Sequence, residues 1–286
     1  MATAPVKTSA GRGRGRARTS ASSLNSPGGN GHEFKKYVPI LNSAEPKVVN
    51  VDTFKPVEES LGLCLREITP ENLQSCLSKA EEFAITDEKI KKVVSSLFEK
   101  SLKDRRLAAN GGQVAATLIS SEKIGPTFRN MFLKKFQETY TNRDKQRKTD
   151  FEKYLCFSVF LCSIFKDVRV NGEVMNILTK PVFKPVFNML GELLDGKNVE
   201  VSQTEKGMEI FRDNLSMIAS LLQAADQGQM DELFKKVRSN IIKEASHKIS
   251  CILLETFEYY SSGDWTPKDE TKDFYNSLMA DITAKS

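Results

Sequence analysis

From Val57 onward, apolar residues recur at intervals of three and four, the period of a helix with one buried stripe, and no run alternates as a half-buried strand would. Val57, Leu61, Cys64 or Leu65, and Ile68 form a first amphipathic segment. Thr69 and Pro70 supply an N-cap and a first helical residue for a second, with Leu73, Leu77, Ala80 and Phe83 inward. Thr86 begins a third, carrying Ile90, Val93, Val94, Leu97 and Phe98. A fourth spans roughly Arg106 to Ser120, and its Asn110-Gly111-Gly112 predicts a weak point or a kink. Pro126 opens a fifth, whose Phe128, Phe132, Phe136 and Tyr140 fall on one stripe.

Thr149 followed by Glu152 predicts a capping box for a long apolar helix over 150–168, and Ser202 followed by Glu205 predicts another for 203–225. Between them Asn171-Gly172 makes a turn, and Pro181 and Pro185 are expected to break 173–194 into shorter pieces. Two further helices run near Gln229 to Ile242 and His247 to Tyr260. A last piece, about Lys268 to Ile282, places Phe274, Leu278 and Ile282 on one face. Grouped in antiparallel pairs, these segments make about five units, near the period of helical-pair solenoids. The fold class is therefore all-α, as a HEAT-like array of about five antiparallel helical pairs, with a compact irregular bundle as the alternative.

The chain has 286 residues with a net charge of +5. Its first 50 residues hold eight bases (Lys7, Arg12, Arg14, Arg16, Arg18, Lys35, Lys36 and Lys47) against Glu33 and Glu45, a net of +6. Residues 51–286 then hold 34 bases and 35 acids, a net of −1. The polyanion footprint is thus concentrated in the tail. Residues 1–50 read as a disordered Arg/Gly/Ser-rich tail, since the first 31 carry too little apolar surface to offset the entropy of ordering them. Residues 51–286 read as the helical-repeat domain. Within the tail, GRGRGRAR (Gly11 to Arg18) sets guanidinium groups among glycines, which suits contact with RNA phosphates and bases, or a solubilising or nuclear-targeting role. The candidate RNA-binding residues are Arg12, Arg14, Arg16 and Arg18. In the body, Arg143, Lys145, Arg147 and Lys148 are the densest basic group, expected on a loop between two helices. They are the candidate partner-binding residues, suited to an acidic peptide or to RNA phosphates, with a solvated loop as the bland alternative.

Catalytic material is scarce. His32 and His247 are the only histidines, which leaves little for triads or multi-histidine metal sites. No cysteine pair has CxxC spacing, and all five thiols read as core fillers. With no apolar segment ahead of the arginine cluster, secretion is not expected, and the thiols should stay reduced in cytoplasm or nucleus. Gly191 to Asn198 (GELLDGKN) fits seven positions of a phosphate-binding loop, but apolar helical residues precede it, Asp195 would face the phosphates, and Asn198 replaces the hydroxyl residue. Glu205, Glu209 and Asp213 form an acidic stripe that reads as a solvated helix face. The longest apolar run, Tyr154 to Phe165, has 12 residues, short of the roughly 20 that span a bilayer. Neither a membrane partner nor a cofactor is expected.

Several strings, taken in order, resemble the middle domain of eukaryotic initiation factor 4G, an all-helical HEAT-type family. They are LFEKSL (Leu97 to Leu102), FLKKFQETY (Phe132 to Tyr140), GQMDELFKKVRSNI (Gly228 to Ile241) and CILLETFEYYSSGDWTP (Cys251 to Pro267). FLCSIFKDVRVNGEVMNILTKPVF (Phe160 to Phe183), with FYN (Phe274 to Asn276), is similar to the small single-domain members, such as the histone stem-loop-binding-protein interactor and the domain of the cap-binding-complex-dependent translation initiation factor. The resemblance implies a non-catalytic scaffold, cytoplasmic and also nuclear. Its implied partners are translation initiation factors, an mRNA-binding protein of stem-loop-binding, cap-binding or poly(A)-binding type, and a DEAD-box helicase. Direct RNA binding through the Arg-Gly tail and a basic loop is the alternative.

Overall fold

The computed structural model describes residues 54–285 apart from 171–172, 175, 197–199, 244–245, 264 and 266–267, all within the unit Asn50–Ser286 of the chain. The tail reading, with Arg12, Arg14, Arg16 and Arg18, lies outside the described residues. Local chemistry sets most helix starts. Pro56 stands in the first turn of α1 (Lys55–Arg66), and the Thr69 hydroxyl accepts the Asn72 N–H at 3.1 Å to cap α2 (Pro70–Phe83). Thr86 caps α3 (Asp87–Ser101) through the Lys89 N–H at 3.4 Å, and Asp104 caps α4 (Arg105–Ile119) through the Arg106 N–H at 2.7 Å. Then follow α5 (Gly125–Thr141), α6 (Arg143–Thr149) and α7 (Phe151–Asp167). A short hairpin pairs β1 (Arg169–Val170) with β2 (Glu173–Val174), Arg169 opposite Val174, so the chain is not wholly helical. The expected turn at Asn171-Gly172 lies outside the described residues. The remainder is α8 (Asn176–Asp195), α9 (Val201–Ala225), α10 (Gln227–Lys243), α11 (His247–Ser262) and α12 (Asp269–Lys285).

Three local expectations are corrected. Asp150, not Thr149, caps α7: its carboxylate accepts the Lys153 N–H at 3.1 Å, while Thr149 ends α6 and donates its hydroxyl to the Lys145 carbonyl at 3.0 Å. A single non-helical residue separates α6 from α7, so Asp150 alone can cap. Glu200, not Ser202, caps α9, in a reciprocal box with Gln203. Finally, α8 runs unbroken through Pro181 and Pro185. Each proline removes one backbone donor, but Val182, Val186, Met189, Leu190, Leu193 and Leu194 are buried along the helix, and that packing offsets the lost bonds.

The order of contacts shows how the helices stack. Phe132 meets Phe160 and Phe136 meets Phe157, so residue numbers rise on α5 as they fall on α7, and the pair is antiparallel. Asp231 with Tyr260, and Phe234 with Phe257, show the same for α10 and α11. Between successive pairs the numbers rise together. Arg105 meets Glu152 and Gly112 meets Ser163 across α4 and α7; Glu152 meets Lys206 and Ser158 meets Asn214 across α7 and α9. Glu205 with Lys248, and Arg212 with Glu255, continue the parallel order to α11. Antiparallel pairs stacked in parallel are a HEAT-type array. The pairs are α1–α2, α3–α4, α8–α9 and α10–α11, together with α5–α7, which meet through the rings of Phe132, Phe136, Phe157 and Phe160; α6 is a connector and α12 is laid on α11.

Two rows result: α1, α4, α7, α9 and α11 form the inner one, and α3, α5, α6, α8 and α10 the outer, while α2 packs on α1 and α4 at the end of the array and belongs to neither. Between them lies an aromatic core in which Phe98 stands 5.2 Å from both Phe132 and Phe160. Gly111 and Gly112 belong to this packing and do not interrupt α4. A Cβ at Gly111 would stand 2.4 Å from the Phe160 ring, and one at Gly112 would stand 2.2 Å from the backbone carbonyl of Ser163. The Ser163 hydroxyl accepts the Gly112 N–H at 2.9 Å and reaches the Ala108 carbonyl at 3.0 Å, so it stands between two groups that a plain helix would join directly. At the far end Trp265 packs on Phe234 and Tyr260 and donates its indole N–H to Gln223 at 3.1 Å, closing the last pair. On α12 the buried residue is Tyr275, hydrogen-bonded to Glu258, whereas Phe274 is 60% exposed, which corrects the face expected from sequence.

Candidate partner surface

The basic group at 143–148 is a helix, α6, not a loop, and its four cations are not equivalent. Asn142 ends α5 and the chain turns at once into α6, which folds back on α7. Arg143 is thereby drawn into a polar node. Its guanidinium donates twice to Glu192 of α8, at 2.8 and 3.0 Å, and lies 4.1 Å above the Tyr140 ring. The Tyr154 hydroxyl lies 3.3 Å from the other Glu192 oxygen, and Asn188 donates to the Tyr140 hydroxyl at 2.9 Å. Burial alone would disfavour the Arg143 charge; the Glu192 hydrogen bond and charge more than offset it and hold the guanidinium above its ordinary range. Burial, then the Glu192 charge, push the Tyr154 phenol upward. Arg147 lies 5.8 Å from the Tyr154 ring. Lys145 and Lys148 are exposed, with no acid partner among the described residues.

Reversal of these charges therefore separates into two results. Lys145→Glu with Lys148→Glu is expected to shift stability by less than about 0.5 kcal/mol. Arg143→Glu places a carboxylate against Glu192 within a half-buried node and is expected to cost about 2 kcal/mol. Thermal melts of the two variants check this, and equal melting points would contradict the node.

The free cations of α6 belong to a wider distribution that the local sequence does not display. The outer row carries seventeen Lys and Arg against nine Asp and Glu, an excess of eight, while the inner row carries nine of each. Lys134 on α5, Lys184 on α8 and Lys236 on α10 are exposed and have no acid partner among the described residues. Lys184, Asn188 and Gly191 share one stripe of α8, since they stand at i, i+4 and i+7. Asn188 ties that stripe to Tyr140 of α5, and the Lys236 ammonium would lie 3.7 Å from a Cβ at Gly191. The row is thus continuous from α5 to α10. Reading of single segments missed Lys134, Lys184 and Lys236; charge summed over α3, α5, α6, α8 and α10 together would have found them.

Other expectations resolve differently. The acidic stripe on α9 is not freely solvated: Lys248 bridges Glu205 at 3.5 Å and Glu209 at 2.9 Å, and Arg212 joins Asp213 to Glu255. Gly191 to Asp195 is the end of a helix, and the remaining Lys197 and Asn198 lie outside the described residues. All five cysteines are buried thiols; burial pushes Cys156 up to about 11, which keeps it protonated and unreactive. Among the described residues no group of three or more His, Cys, Asp or Glu could hold a metal ion, and no helix is long and apolar enough to cross a membrane.

The family described as MIF4G domain matches residues 58–262, which run from α1 to the end of α11. The MIF4G domain-containing protein B of Xenopus laevis is 27% identical over 197 residues, covering 67% of this chain and 85% of that protein. MIF4G domain-containing protein A of Danio rerio is 25% identical over 206 residues, 69% of this chain and 92% of its own length. The CBP80/20-dependent translation initiation factor of Xenopus tropicalis is 24% identical over 214 residues, 74% of this chain and 35% of that longer protein.

Proposed function

The chain belongs to the MIF4G domain family, and on that premise we propose that it is a non-catalytic adaptor in mRNA translation, bridging an mRNA-bound protein to initiation factors or to a DEAD-box RNA helicase. Family membership and the likeness to a translation initiation factor support a role in translation or mRNA metabolism. The observation that carries the adaptor reading is the coincidence of the matched span with an array of stacked helical pairs whose outer row presents unpaired lysines. Such a row offers an extended surface for another macromolecule and requires no reactive cleft. Of the four candidate cations on α6, Lys145 and Lys148 are the ones free to meet a partner; Arg143 and Arg147 hold the surface in shape. The adaptor would work in the cytoplasm, and also in the nucleus.

Direct RNA binding through Arg12, Arg14, Arg16 and Arg18 is the second reading, favoured by the Arg-Gly string. Affinity capture with and without nuclease separates the two. Initiation factors or a helicase retained after nuclease treatment are expected. Recovery that depends wholly on intact RNA would overturn the adaptor reading and support the tail.

A further inference from the structure

The outer row is a row of point charges. Among the described residues of α5, α6, α8 and α10, the exposed cations left without a partner are all lysines: Lys134, Lys145, Lys148, Lys184, Lys236 and Lys243. Three of the guanidinium groups beside them are engaged, Arg143 with Glu192, Arg147 over Tyr154 and Arg238 over the Phe257 ring at 4.8 Å, and the fourth, Arg129 of α5, is half-buried with its Nε shut off from solvent. Its aromatic rings are covered as well. Tyr140 lies under Arg143, and Phe183 packs between Phe165 and Phe187. Single-stranded RNA is held by rings and guanidinium planes on which bases stack, together with cations along the backbone. This surface keeps only the cations. Acids also stand within it, Glu138 at 3.5 Å from Lys135 and Glu232 beside Lys235, so a continuous phosphate backbone would meet repulsion at intervals. Separate carboxylates on a flexible or helical segment can be placed against single ammonium groups and avoid the acids.

We infer that the outer row, over α5, α6, α8 and α10, docks an acidic segment of a partner protein through Lys134, Lys145, Lys148, Lys184 and Lys236. This deepens the adaptor reading and rests on it for the partner's biological identity, though the charge complementarity stands on its own. The row is contiguous: Asn188 joins α8 to α5, Glu192 joins it to α6, and Asn240 donates to the Leu194 carbonyl at 2.8 Å to join α10 to α8. These four helices carry thirteen Lys and Arg against six Asp and Glu, and that surplus of seven positive charges in a body of net −1 is what distinguishes this face from the neutral inner row. Because exposed charges are screened beyond about 8 Å at physiological salt, docking should weaken steeply as salt rises.

The test uses the full chain, a fluorescent 20-residue poly-glutamate peptide as the acidic probe, and a 20-nucleotide oligouridine as the RNA probe. The row variant carries Lys134→Gln, Lys145→Gln, Lys148→Gln, Lys184→Gln and Lys236→Gln. A control of equal net charge carries Lys55→Gln, Lys79→Gln, Lys103→Gln, Lys153→Gln and Lys268→Gln, all at exposed positions off the row. Peptide affinity is expected to fall about tenfold in the row variant and to stay near wild type in the control, with both variants melting like wild type. Carboxyl-to-amine zero-length crosslinks from the peptide should fall on the five row lysines. Equal losses in the two variants, crosslinks concentrated on Lys35, Lys36 or Lys47, or a loss of oligouridine affinity as large as that of the peptide would overturn the assignment. Capture of initiation factors is read separately. Full capture by the row variant removes the row and leaves the adaptor, whereas no capture by wild type, alongside row-specific peptide binding, removes the adaptor and leaves the row.

Discussion

Gly112→Ala is expected to lower the stability of the domain by about 3 kcal/mol, although alanine is the better helix former by roughly 0.5–1 kcal/mol. The added methyl would stand 2.2 Å from the carbonyl carbon and oxygen of Ser163, which are backbone atoms of a buried helix and cannot rotate away. Relief requires α4 and α7 to separate, and that also strains the bond from the Gly112 N–H to the Ser163 hydroxyl. The internal control is Gly62→Ala. On α1 the only heavy atom near a new Cβ is the Arg66 Nη2 at 3.6 Å, so the same substitution should there stabilise by about 0.5 kcal/mol. For a domain of this size, at about 2–4 °C per kcal/mol, a thermal melt resolves the pair with ease. A Gly112→Ala protein that melts at or above wild type would show that α4 and α7 are not packed as described.

The second large effect is at Phe160, the ring that fills the space Gly111 leaves open. Phe160→Ala should cost about 4 kcal/mol, since the ring is fully buried and touches both Phe98 and Phe132. Gly111→Ala alone should also destabilise, by about 2 kcal/mol, because its Cβ would meet that ring at 2.4 Å and the Ser101 hydroxyl at 2.8 Å. The double variant is the informative one. With the ring gone the main obstacle to the methyl is gone, so Gly111→Ala in the Phe160→Ala background should be nearly neutral. Denaturant titration of the four proteins gives the coupling, expected at about 1–2 kcal/mol, and strict additivity would contradict the contact.

These glycines show where sequence reading fails. Helix positions were legible because burial follows a local period: Val93, Val94, Leu97 and Phe98 are all buried, as their spacing requires. The same period marked the stripe Phe128, Phe132 and Phe136. Gly111 and Gly112 looked like a weakness because their use depends on Phe160 and Ser163, some fifty positions away. Pro181 and Pro185 looked like breaks because the packing that carries α8 past them is tertiary. α6 read as a loop for the converse reason: it has no buried residue of its own, so no apolar period announced it.

The candidate site divides along the same line. The density of bases at 143–148 was plain, but which of them stay free was not, since Arg143 is claimed by Glu192, 49 positions later. The outer row is a property of alternation. Only when the chain is folded into pairs do α5, α6, α8 and α10 fall side by side, and their lysines are scattered among neutral and acidic helices until then. Net charge along the sequence pointed to the tail; net charge by row points to one face of the body.

The most direct test of the adaptor account is to fix the full chain to a reporter mRNA through a fused RNA-coat protein and measure protein output per mRNA molecule. The account predicts that the tethered wild-type chain raises output above the coat protein alone, and that the five-lysine row variant, expressed to the same level, loses most of that rise. Output equal to that of the coat protein alone, from a chain shown to be folded and bound to the reporter, would contradict it.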